Sequence, residues 1–214
     1  MNVLTQLQQR WQTLLRSIGA APELEQKLWQ ELVDHYGQAQ RKYHNFQHLQ
    51  AMFTAFDRFA SEMDDPEVLQ CSIWFHDIIY RPTRKDNEEK SAAFAQKALQ
   101  KMNWPVARIQ RCCTQIRSTQ KHLPSDSSES ANKDEQYLID FDLEILSRTW
   151  AEYQQYSQQI RAEYWIYPGP IYRRGRKAAL QQFLSRSHIY WTPLFRAEKE
   201  TKARANFLRE IEML

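Results

Sequence analysis

The sequence predicts an all-α fold. Three observations predict it: there are only four glycines in 214 residues, apolar side chains recur at three- and four-residue spacing along most of the chain, and Pro66, Pro82, Pro105 and Pro193 fall at the ends of those patterns. At 42% hydrophobic and 13% aromatic, a chain of this length holds enough apolar material for one domain with a substantial core, so a single helical bundle over 1–214 is expected.

The elements follow in order. Residues 1–16 alternate polar and apolar in helical style without a continuous apolar stretch. Leu49, Met52, Phe53, Phe56, Phe59 and Ala60 trace one helical stripe, with Asn45 as a cap just ahead of it and His48 in its first turn. Pro66 suits the first turn of the next helix, whose apolar run ends near Tyr80 before Pro82 stops it; His76 and Asp77 fall near its C-terminal end. Asp86 and Glu89 stand in capping-box spacing ahead of Ala92, Ala93, Ala95, Ala98 and Leu99. Pro105 opens a helix through Ile109 and Ile116. From Lys121 to Lys133 the composition turns to Ser, Asp, Glu, Asn and Lys, which predicts an exposed, flexible loop. Helical pattern resumes with Tyr137, Leu138, Phe141, Ile145 and Leu146 and continues from Trp150 to Tyr164. It breaks at Pro168-Gly169-Pro170, returns through Ala178, Leu180, Phe183 and Leu184, and predicts a last helix after Pro193. Trp11, Trp29, Trp150 and Trp191 are assigned to packing.

Lys and Arg total 29 against 26 Asp and Glu, a net charge of +3 with no long basic run, so nucleic acid is not the favoured partner. Cys71, Cys112 and Cys113 are odd in number and lack C-x-x-C spacing, which predicts neither a disulfide framework nor a thiolate zinc site and fits a reducing compartment. No segment approaches about 18 uncharged apolar residues. A soluble, cytoplasmic protein without membrane partners is expected.

Tyr43-His44-Asn45-Phe46-Gln47-His48 and Trp74-Phe75-His76-Asp77 gather three histidines and an aspartate into two helical segments. His44 and His48, at i and i+4, project from one helix face. Imidazole and carboxylate donors suit a divalent first-row metal or Mg²⁺. A lone histidine is usually satisfied by one hydrogen bond, but Asp77 sits among Trp74, Phe75, Ile78 and Ile79, where a carboxylate costs several kcal/mol unless a cation or strong donors compensate it. Asp140 and Asp142, flanking Phe141, supply a late carboxylate for the same ion.

The order His, His-Asp, Asp resembles the HD superfamily of metal-dependent phosphohydrolases. Tyr-His-Asn-x-x-His, Trp-Phe-His-Asp, Asp-Asn-Glu-x-x-Ser-Ala and Asp-x-Asp-Leu together are similar to the bacterial group known as predicted metal-dependent HD phosphohydrolases, over nearly the whole chain. The resemblance implies an HD-type bundle with a metal core at about 43–146 and helices 150–214 packed on it. It implies that His48, His76, Asp77 and Asp142 bind a divalent ion (Mn, Ni, Fe, Zn or Mg), Asp142 being preferred to Asp140, which would orient a ligand instead. The first segment is also similar to cyclic-nucleotide phosphodiesterases, whose first histidine protonates the leaving oxygen; this makes His44 a general acid, the alternative being a cap or a bond to a carboxylate. Glu88 would activate water or hold substrate, with Asn87 beside it, unless both only open a helix. Asn45, Thr119, His122, Arg161 and Arg176 are substrate-binding candidates, His122 toward a second metal or a phosphate and the arginines toward phosphate oxygens. Glu163, Tyr164 and Tyr172 belong to the same C-terminal pattern. The second His-His pair of dinuclear relatives is missing. The expected activity is hydrolysis of a phosphate mono- or diester in a small molecule, a nucleotide above all. The alternative is a sensor that binds such a molecule without turnover, and self-association is compatible with either.

Overall fold

The computed structural model describes residues 2–126 and 132–214. Among them are ten α-helices and no strand: α1 Val3–Ser17, α2 Pro22–Tyr36, α3 Phe46–Phe59, α4 Pro66–Phe75, α5 Asn87–Gln100, α6 Val106–Ser118, α7 Lys133–Asp142, α8 Trp150–Glu163, α9 Gly169–Leu184 and α10 Pro193–Met213. The all-α expectation holds. The helix α2 is additional to those read from the sequence.

Helix α4 is the centre of the bundle. Val68, Leu69 and Cys71 to Phe75 are buried, as a helix apolar on nearly every side must be, and α3, α5, α6 and α7 pack around it. Trp74 meets the edge of Trp11 from α1 at 5.3 Å between ring centroids and Phe53 from α3 at 4.8 Å. Cys71, Cys112 and Cys113 are free and buried, and Cys113 turns its thiol to the Ala92 carbonyl of α5 at 3.4 Å. The C-terminal helices α8, α9 and α10 join the same connected core through Tyr153, Leu180, Phe195 and Phe207.

Three local expectations change. The helix through His76-Asp77 ends at Phe75, not near Tyr80, because the guanidinium of Arg41 captures the carbonyls of Asp77 at 2.7 Å and Ile78 at 2.8 Å and bends the chain away. Asp86 precedes α5 but forms no capping box; its carboxylate is taken by Arg84 at 2.7 and 2.8 Å. The helical reading through Leu146 becomes α7 followed by a 3₁₀ turn, Leu143–Ser147. Of the loop expected over 121–133, residues 127–131 lie outside the described residues, and Lys133 already opens α7. No helix among the described residues is long and apolar enough to cross a membrane.

Candidate metal centre

Three elements converge on one point. Asn45 caps α3, accepting the amide of Gln47 at 2.8 Å, and thereby starts the helix that carries His48 in its first turn. His76 closes α4, and Asp142 is the last residue of α7. Nε2 of His48 lies 3.2 Å from Nε2 of His76 and 3.2 Å from Oδ1 of Asp142, which is 4.0 Å from His76 Nε2. The ligand atoms of His48, His76 and Asp142 all lie within 4.8 Å of one another, and this buried group can hold a metal ion. Asp77 is next to it, with Oδ2 3.1 Å from His76 Nε2, although it stands outside that close triplet.

The electrostatics ask for positive charge. Nδ1 of His76 donates to the carbonyl of Ile73 at 2.8 Å, which fixes the tautomer and turns the Nε2 lone pair toward His48, Asp77 and Asp142. Lone pairs brought this close repel unless a proton or a metal ion sits among them. Burial alone would lower the pKa of His76, but the charge and hydrogen bond of Asp77, with Asp142 behind it, push it up to about 9. Asp142 and Asp77 are both held below the ordinary carboxylate range, against burial, by the histidines they face.

His44 is not part of the triplet. Its Nδ1 donates to Oε2 of Glu163 at 2.6 Å, and Oε1 accepts the amides of Tyr43 at 2.7 Å and His44 at 3.0 Å. Tyr80 donates its hydroxyl to the same carboxylate at 2.9 Å and stacks its ring on His44 at 4.1 Å. Burial would raise Glu163, yet His44 and these amides hold it at about 2. Burial opposes protonation of His44, and Glu163 and Asp77 overcome it, so its pKa is raised. Of the alternatives open for His44, the bond to a carboxylate is present, and it leaves Nε2 free for a proton transfer.

A cavity of about 540 Å³ opens beside this cluster, lined by His44, Asp77, Asn87, Glu88, Thr119, His122, Asp142 and Arg176 among others. Glu88 is half-buried, and burial raises its pKa, with the like charge of Asp77 and Asp142 adding to the effect. Asn87 holds the Arg81 amide and carbonyl, at 3.1 and 3.0 Å, and Thr119 donates to the Ile116 carbonyl at 2.7 Å. His122 has φ of 50°, a strained region for a bulky residue, and this places its Nε2 3.3 Å from Oδ2 of Asp142. Arg176 is largely buried and bound through Nε and Nη2 to Glu210, at 2.8 and 2.9 Å. Two candidates lie apart from this cavity. The Asn45 amide is spent on the Arg41 and Lys42 carbonyls, and Asn45 does not line the cavity. Arg161 also lies off the cavity, donating to the carbonyls of Tyr164 and Tyr167 at 2.8 and 3.1 Å while covering the Tyr172 ring at 4.7 Å.

Asp140, two residues before Asp142, points the other way and accepts from the amides of Trp191 at 2.7 Å and Thr192 at 2.8 Å. Its carboxylate anchors the start of α10 and orients no metal ligand. Neither Arg41 nor Tyr80 carries a signal in the sequence, and the C-terminal pattern gives Glu163 no specific role. One signal for Glu163 was present: a glutamate followed by Tyr164, Trp165 and Ile166 is as misplaced in apolar company as Asp77.

Comparison with protein-family models, curated proteins and solved structures gives no match to this chain.

Proposed function

We propose that the chain is a metal-dependent phosphohydrolase that cleaves a phosphate mono- or diester of a small molecule, a nucleotide being the first candidate. The observation that supports it most is that one cavity is lined both by Asp142 of the His48, His76, Asp142 group and by His44 of the His44–Glu163 pair. His48, His76 and Asp142 would hold the ion, with Asp77 as a fourth donor. When bound, a divalent ion lowers the pKa of water and neutralises charge on phosphoryl oxygens.

The remaining roles belong to the side chains. Glu163 keeps the His44 ring oriented and cationic, and His44 Nε2 gives its proton to the departing oxygen. Tyr80, stacked on the ring and bonded to Glu163, keeps water from the pair. Glu88, with its raised pKa, is the base or polar contact closest in character to what an incoming water needs.

The test is turnover by protein loaded with Mn²⁺ or Mg²⁺ on p-nitrophenyl and alkyl phosphates, mono- and diesters, for wild type and His44→Ala. Loss of about 10²-fold in His44→Ala on the alkyl ester, and a smaller loss on the nitrophenyl ester, is expected for a missing acid. Tight binding of a phosphorylated compound without any turnover would replace the enzyme by a sensor.

A further inference from the structure

The cavity wall contributed by α8 and α9 has a different chemistry from the metal side. It presents Tyr156, Ile160, Tyr172, Leu180 and Phe183, with Phe207 of α10 behind them. Its one cation, Arg176, is already neutralised by Glu210 and lies over the Tyr156 ring at 5.4 Å. The second lining arginine, Arg84, is paired with Asp86 at 2.7 Å. The carboxylate Glu88, which the proposed ion does not take up, lines the same space. A second or third phosphoryl group would therefore meet no unpaired cation among the described lining residues and would face like charge.

Resting on the reading of the site as phosphoryl-binding, we propose that the substrate carries a single phosphoryl group joined to an uncharged aromatic body, and that this body lies against the α8–α9 wall. Aromatic faces from Tyr156, Tyr172 and Phe183 favour a planar ring in offset or edge-on contact over an alkyl chain of equal area. A cavity near 540 Å³ has room for a two-ring system and one phosphate. Nucleoside monophosphates and aryl phosphates share this chemistry; nucleoside triphosphates and inorganic polyphosphates do not.

Gly175 offers a way to fill that space. It lines the cavity within α9, and a Cβ built on it meets nothing within 4 Å. Replacing a mid-helix glycine also favours the helix, so Gly175→Phe is expected to fold.

The experiment is calorimetric binding to Mn²⁺-loaded full-length protein of four stable probes: methylphosphonate, hexylphosphonate, 1-naphthylmethylphosphonate and pyrophosphate. The naphthyl probe is expected to bind about 10²-fold tighter than methylphosphonate, from the apolar surface it buries. It is also expected to exceed hexylphosphonate, with pyrophosphate no tighter than methylphosphonate. Gly175→Phe should remove most of the naphthyl gain and leave methylphosphonate unchanged. Equal binding of naphthyl and methyl probes overturns the inference alone, as does a naphthyl gain that survives in Gly175→Phe. Hexylphosphonate binding tightest overturns the aromatic body, and pyrophosphate binding tightest overturns the single phosphoryl group. No binding of any probe overturns the phosphoryl reading itself, and this inference with it.

Discussion

Nδ1 of His44 donates a 2.6 Å hydrogen bond to Oε2 of Glu163, tying the residue ahead of the α3 cap to the last residue of α8. Everything proposed for His44 depends on that carboxylate. Glu163→Gln keeps an oxygen for the Tyr43 and His44 amides but removes the charge that raises His44. The alkaline limb of the pH–rate profile should move to lower pH, and kcat should fall while KM changes little. A limb that stays in place would limit Glu163 to holding the fold.

The same pair sets a pH window for stability. Glu163 is held at about 2, below its ordinary value of 4.5, so its contribution is present above pH 4.5 and is lost as pH falls toward 2. His44 is raised above 6.5, so its contribution is present below 6.5 and is lost as pH rises through the folded value. The pair should therefore stabilise most between pH 4.5 and 6.5. Denaturant midpoints of wild type and Glu163→Gln across pH 3–9 check this, the difference being greatest inside that window.

Two aspartates two positions apart should part company when mutated. Asp142→Ala is expected to lose bound metal and the thermal stabilisation that added Mn²⁺ brings, since a ligand that binds only the folded state raises its stability. Asp140→Ala should keep metal binding and lose about 2 kcal/mol, because the buried Thr192 amide and the part-buried Trp191 amide are left without their acceptor. Metal analysis beside thermal denaturation separates the two.

Trp74, fully buried between Trp11 and Phe53, is a measure of the core. Trp74→Ala should cost about 3–5 kcal/mol through lost burial and the cavity left behind. Urea unfolding reads it directly; a loss under about 1 kcal/mol would show that α4 is not the packing centre.

What was legible in the sequence follows from where each determinant lies. The α3 stripe from Leu49 to Phe56 and the Asn45 cap are local patterns, and both are present. His76 and Asp77 could be singled out because charge among apolar neighbours is visible in the six consecutive residues from Trp74 to Ile79. The end of α4 could not, since Ile78 and Ile79 extend the apolar run and the arginine that bends the chain lies far upstream at position 41. Asp86 illustrates a local rule losing to a local competitor, a guanidinium two residues away. Glu163 was noticed only as part of a C-terminal pattern, because no spacing rule links a glutamate to a histidine 119 positions earlier.

The three buried thiols carry a consequence for how the centre comes apart. Burial raises the pKa of Cys71 and Cys112, so neither reacts with a thiol reagent until α4 and α6 separate. His76 closes that same α4. Labelling of Cys71 therefore times the opening of the helix whose end positions a candidate ligand, and an ion seated there should slow the labelling, giving the empty and loaded forms of the protein different chemical lifetimes.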